Sequence, residues 1–95
     1  MQVKIVGIPW YRQEDYDQLR AMFSDGSKLH ATFDGWLASA QALHDRLVNE
    51  GHAVEKAWID PNTFSAWCSA HGKPLDATGR TAFANERAAN KVLNG

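Results

Sequence analysis

Apolar residues open the chain in a short β-branched block, Val3-Lys4-Ile5-Val6-Gly7-Ile8, which Pro9 closes. Val3 and Ile5 fall on one face and Val6 and Ile8 on the other, so the pattern predicts a strand covered on both sides. After Trp10 and Tyr11 the period changes. Tyr16, Leu19 and Phe23 recur at i, i+3 and i+7 with Met22 alongside, predicting a helix from about Gln13 to Ser24 that Asp25-Gly26 stops. Thr32 is an N-cap candidate for the clearest helix in the chain, whose stripe is Phe33, Trp36, Leu37, Ala40, Leu43, His44 and Leu47, with Gly51 as the left-handed C-cap.

The same succession follows again. Ala53 to Ile59 reads as a second strand, and Asp60-Pro61 places an N-cap and a first-turn proline at the start of a third helix. Phe64, Trp67, Cys68 and His71 form its stripe, and Gly72 ends it. A last helix from about Asp76 to Leu93 sets Ala82, Phe83, Glu86, Ala89 and Leu93 on one side. It is alanine-rich with a narrow apolar face, so its end is expected to fray.

The predicted order is β-α-α-β-α-α: an α/β fold in which a small two-stranded sheet is packed by four helices. Each half carries a strand, a short aromatic-striped helix, a glycine-containing turn and a longer helix. Lys28-Leu29-His30-Ala31-Thr32 parallels Lys73-Pro74-Leu75-Asp76-Ala77-Thr78, which raises an internal duplication. Residues 1–95 have room for a single domain, and a chain this short buries only about 60–65% of its unfolded surface.

That order carries a physical difficulty. Two strands make a meagre sheet, and each leaves an edge open to pairing. The economical remedy is a homodimer that joins two sheets across a two-fold axis. Otherwise the segment from Asp25 to His30, or the last helix, must shield the edge.

Charge narrows the partners. Ten Lys and Arg are scattered among eleven Asp and Glu, for a net charge of −1, with no run of one sign. Nucleic acid is therefore a disfavoured partner, since binding it needs a basic stripe to displace counterions. No apolar run approaches the ~20 residues that span a bilayer, so no membrane association is expected. The single cysteine, Cys68, has no intramolecular partner, which fits a reducing compartment. The first residues also lack the apolar region of a signal peptide, and a cytoplasmic location is expected.

Candidate chemistry is sparse. Cys68 and His71 share a helix face, the spacing of a thiolate–imidazole pair or of two zinc ligands. Burial beside Phe64 and Trp67 makes them more ordinary as core residues, and no metal or other cofactor is expected. His44 on an apolar stripe and His52 after a C-cap read as packed or dipole-matched histidines. The acidic cluster Glu14, Asp15 and Asp17 is what a helix's first turn favours anyway. Phosphate loops, nucleophile elbows, HExxH and CxxC are absent from the sequence.

The least ordinary stretches follow the two strands. If the strands are parallel, Trp10, Tyr11 and Arg12 lie at one rim with Trp58, Asp60 and Asn62, where open α/β sheets place ligands. An aromatic pair with an arginine suits a planar or anionic group. The more ordinary reading is that Trp10 and Trp58 cap the small core while Arg12 pairs with Glu14 or Asp15.

The run from Ile8 to Tyr16, with Asp60-Pro61 and Phe64-Ser65-Ala66-Trp67-Cys68, resembles short hypothetical proteins of bacterial genomes over most of the chain. The resemblance implies a compact stand-alone protein and brings no activity with it. The expectation from sequence is a non-catalytic binding module, acting as a homodimer and contacting a protein partner. The alternative is a small enzyme or ligand-binding protein that uses the rim.

Overall fold

The computed structural model describes residues 5–94, with side chains to Lys91. Strand β1 (Ile5–Trp10) is followed by helix α1 (Gln13–Met22), a 3-10 turn at Gly26–Lys28 and helix α2 (Phe33–Asn49). Strand β2 (Ala53–Trp58) then leads into α3 (Pro61–His71) and α4 (Ala77–Asn94). The α/β class and the β-α-α-β-α-α order are as the periodicity predicts. Both halves share element lengths closely, with helices of 10 and 17 residues in the first and 11 and 18 in the second. They part company at the helix–helix links, where only the first inserts a 3-10 turn.

The strands run parallel in a two-stranded sheet, Ile5 opposite Ala53 through Trp10 opposite Trp58. Pro9 does not end β1 but lies inside it. A hydrogen bond explains why the sheet tolerates it. Ile59 N–H donates to the Trp10 carbonyl at 2.9 Å. Since the N–H and C=O of one residue point to the same side of a strand, Val6, Ile8 and Trp10 face β2, and Pro9 faces outward where no ladder donor is needed. By the same alternation Ala53, Glu55 and Ala57 face β1, while the backbone groups of Val54, Lys56 and Trp58 project from the other edge. Val3, the expected first residue of the strand, lies outside the described residues.

One sheet face packs on α4 and the other on α2. A Cβ on Gly7 would lie 2.2 Å from the Ala84 carbonyl oxygen and 3.3 Å from the Ala88 Cβ, so α4 sits directly on the strand backbone. This contact sets the phase of α4. Its buried residues are Gly79, Arg80, Phe83, Ala84 and Ala88, whereas Glu86 and Ala89, expected on the inner face, are exposed. The Leu93 side chain, also expected there, is outside the described residues.

Caps mark the helix starts. Thr32 accepts from Gly35 N–H at 3.1 Å, Asp60 from Thr63 N–H at 2.8 Å, and Asp76 from Thr78 N–H at 2.9 Å. Each satisfies a donor that the helix cannot, a contribution of about 1 kcal/mol. Helix α3 ends at Gly72, which has φ 63°. There a glycine enters the left-handed region without strain.

Aromatic rings form the core in a continuous chain. Phe33 touches Trp36, Trp36 touches Tyr11 and Trp10, Tyr11 touches Phe23, and Phe23 meets Phe64, which meets Phe83. Through them α1 and α3 are tied across the C-terminal ends of the strands. One charged residue joins this core. Arg80, 7% exposed, donates from both terminal nitrogens to the two carboxylate oxygens of Asp25 at 2.8 Å each and lies 4.5 Å over the Phe23 ring. The fork joins α4 of the second half to the turn after α1 of the first.

Candidate functional site

The six rim residues do not converge on a pocket. Trp10 and Tyr11 are buried at 3% and 4% exposure, inside the aromatic chain. Their rings, with Tyr16, Phe23 and Phe64 from α1 and α3, fill the space beyond the strand ends that larger open sheets leave for ligands. Trp58, by contrast, is 46% exposed. Arg12 does not pair with Glu14 or Asp15 in a salt bridge; its guanidinium carbon stands 5.1 Å from the Trp58 ring centroid. Asp60 is occupied as the N-cap of α3. The Thr63 N–H bond holds its carboxyl below the ordinary range, and the nearby Arg12 adds a smaller effect in the same direction. Asn62 is exposed in the first turn of α3. Trp58, Arg12 and Asp60 thus form a surface cluster, while Trp10 and Tyr11 belong to the core.

Cys68 and His71 are likewise separated. The Cys68 thiol is buried, 3.7 Å from the Pro74 carbonyl oxygen, and burial with the charge of Asp76 pushes its pKa up, away from thiolate chemistry. The His71 ring stacks on Trp67 at 4.4 Å between centroids, and the Trp67 indole N–H donates to Glu86. Among the described residues no three His, Cys, Asp or Glu side chains are grouped to hold a metal. No described helix is long and apolar enough to cross a membrane.

Two surfaces that the sequence does not announce flank the sheet edges. Along β2 runs a groove of about 470 Å³ between the strand and α4, lined by Glu55, Lys56, Trp58, Arg87 and Lys91 among others. Lys56 leans over the Trp10 ring, its ammonium 4.4 Å from the centroid, and Asp45 is close enough to feel its charge. Along β1 runs a more apolar groove of about 380 Å³, with Ile8, Pro9, Leu29, Trp36, Ala40 and Leu43 in its walls. Leu43 was expected in the core stripe of α2. It is instead 36% exposed at this groove, because the two-stranded sheet is too narrow to cover the whole helix face.

Tyr11 also lines the β1 groove. Its hydroxyl has no hydrogen-bond partner among the described residues. Arg20 Nε is the side-chain nitrogen or oxygen that, among the described residues, is sealed from solvent without a partner. The Tyr11 oxygen, equally unpartnered, therefore keeps a path to solvent space. Burial raises its pKa to about 12, with Arg80 partly opposing, so it remains a proton donor at neutral pH.

Comparison with known protein families, with curated proteins and with solved structures finds no match for this chain.

Proposed function

We propose that the chain is a non-catalytic interaction module that acts as a homodimer, two copies pairing through the outer edge of β2. The observation that carries this reading is the asymmetry of the sheet's edges. Pro9 removes a donor from the edge of β1, and the Lys28–His30 segment stands beside it at the groove. Along β2 the N–H and C=O groups of Val54, Lys56 and Trp58 project outward with no proline among them, next to an exposed tryptophan. An open strand edge of this kind is a template for another strand.

The sequence of β2 suits a two-fold axis. Antiparallel pairing centred on Lys56 sets Trp58 opposite the partner's Val54 at both ends, an aromatic to β-branched pair of the type that stabilises sheets by about 0.2–1 kcal/mol each. The two central lysines face one another, yet each ammonium is drawn back over its own Trp10. The result is a four-stranded sheet, above the two-strand size that is marginal in water.

The shape of the protomer supports the same reading. Its extents are 41 × 31 × 19 Å, with a radius of gyration of 13.5 Å. A compact chain of this length has a radius near 12.4 Å, as an order-of-magnitude estimate. Its accessible surface is 5980 Å², against about 5,500 Å² for a typical monomer of its mass.

Light scattering tests the proposal. At about 200 μM the expected mass is twice the 10.6 kDa of the protomer. Lys56→Pro places a proline at an outward-facing N–H, as Pro9 does in β1, and should give a folded monomer. Lys56→Gln, which keeps the N–H, should remain dimeric. A monomeric wild type at that concentration, or a dimer that survives Lys56→Pro, overturns the proposal.

A further inference from the structure

We infer that the groove beside β1 is a binding site for a small carboxylate with an apolar body. The site lies on the opposite edge of the sheet from the proposed dimer contact and does not rest on it.

The groove's capacity, about 380 Å³, falls toward the lower end of the ~300–1,000 Å³ of small-molecule sites. Its lining follows the usual design of such sites, apolar walls with few polar groups. Ile8 and Pro9 form the strand side, Trp36, Ala40 and Leu43 the α2 side, and Leu29 closes the end beside the 3-10 turn. An aliphatic or aromatic body fits these walls, since burying it removes apolar surface of both partners from water.

The polar groups select the head. Tyr11 is 4% exposed, so its hydroxyl is held in place by packing against Tyr16, Phe23 and Trp36. It has no acceptor among the described residues and is a donor at neutral pH. A donor that is held in place, unpartnered among the described residues and reachable from the groove is open to an acceptor from outside. Lys28 is also among the lining residues and brings positive charge to the groove, while none of the lining residues is acidic. The nearby Asp25 carboxylate is already engaged by Arg80. A phenol donor and an ammonium in one lining, with no anion among the lining residues, match a carboxylate in preference to an amine or a neutral apolar compound. His30 also lines the groove, but its backbone carbonyl already accepts from the Tyr16 hydroxyl. That bond ties the His30 backbone to α1.

The probe is octanoate, with octylammonium as the control of equal length and opposite charge. Binding is followed by thermal shift and by 15N chemical-shift changes. Octanoate should bind saturably below about 5 mM and shift the amides of Ala40 and Leu43 together with those of Lys28 and Leu29. Tyr11→Phe keeps the ring and removes the donor. It should leave the circular dichroism spectrum unchanged and weaken octanoate at least about tenfold. Lys28→Gln should weaken it by a smaller factor. Three results overturn the inference: no saturable shift in that range, equal binding of octylammonium, or octanoate affinity undiminished in Tyr11→Phe. Lys56→Pro, aimed at the β2 edge, should leave octanoate affinity intact, so failure of the dimer and failure of this site are read separately.

Discussion

Replacing Asp25 by alanine leaves the Arg80 guanidinium with five donors and no carboxylate in a site where only 7% of the residue is exposed. Two charge-assisted hydrogen bonds of 2.8 Å are lost at once. Breaking a buried pair from one side costs about 3–5 kcal/mol, because the surviving charge stays desolvated. The Asp25 side chain is 20% exposed, so water enters the space it leaves, and a value near 3 kcal/mol is expected. For a chain of this length, total stability is on the order of 5–14 kcal/mol, so the variant forfeits a large share. The reverse removal is gentler. Arg80→Met leaves a carboxylate that already touches solvent and a side chain that still fills space beneath Phe23, for a loss of about 1–2 kcal/mol. Asp25→Ala combined with Arg80→Met should then be more stable than Asp25→Ala alone. Urea unfolding followed by tryptophan fluorescence measures all three.

Acid adds an independent check on the same pair. The Arg80 hydrogen bonds hold the Asp25 carboxyl below its ordinary value, outweighing the opposing effect of burial. The unfolded chain therefore takes up this proton first as pH falls. The stabilisation is complete above about pH 4 and is lost as pH drops through the lower folded-state value. In Asp25→Ala this part of the acid dependence should vanish. A double variant no more stable than Asp25→Ala, or an Asp25→Ala loss below about 0.5 kcal/mol, refutes the claim that a buried fork joins the two halves.

Gly7→Ala forces a Cβ to within 2.2 Å of the Ala84 carbonyl oxygen, so α4 must lift from the sheet. A loss of about 2–3 kcal/mol by chemical denaturation is expected, and a change within ~0.5 kcal/mol would show that α4 does not rest on β1. Cys68, 2% exposed and with its thiol pKa raised, should resist a disulfide reagent at neutral pH and react fully in urea. Native labelling at the rate of a free thiol would contradict its burial.

Much of the architecture was legible because its signals are local. Asp60-Pro61 and Thr32 announce helix starts through groups that lie within a few residues, and Tyr16, Leu19 and Phe23 mark a buried face by contrast with polar neighbours. Helix α4 escaped this logic. Its alanines at 82, 84, 88 and 89 differ little in hydropathy, and its inner face carries an arginine. Its phase is decided by the notch at Gly7, a residue more than seventy positions away in the chain. The apolar stripe of α2 is broader than its buried face for a related reason. Periodicity shows which side of a helix is apolar, but not how wide a surface exists to cover it, and two strands leave Leu43 outside.

The rim shows the limit most plainly. Trp10 and Trp58 end the two strands opposite one another, yet one is buried and the other is half exposed. The difference comes from α2, whose Trp36 and His44 rings pack on Trp10. Nor does the sequence reveal that Tyr11 lacks a hydrogen-bond partner among the described residues, since this depends on the absence of an acceptor across several elements. The only local signal at Tyr11 is an aromatic residue immediately after a strand, and it does not say which surface the ring faces.

Amide hydrogen exchange at Lys56 and Trp58 reports most directly on whether the outer edge of β2 is paired. Both N–H groups point away from β1, so nothing within the protomer's sheet protects them. If two copies join there, both amides exchange slowly at high concentration and quicken on dilution, while those of Val6, Ile8 and Trp10 stay protected throughout. Fast exchange at Lys56 and Trp58 at every concentration would leave the edge unpaired and contradict the account.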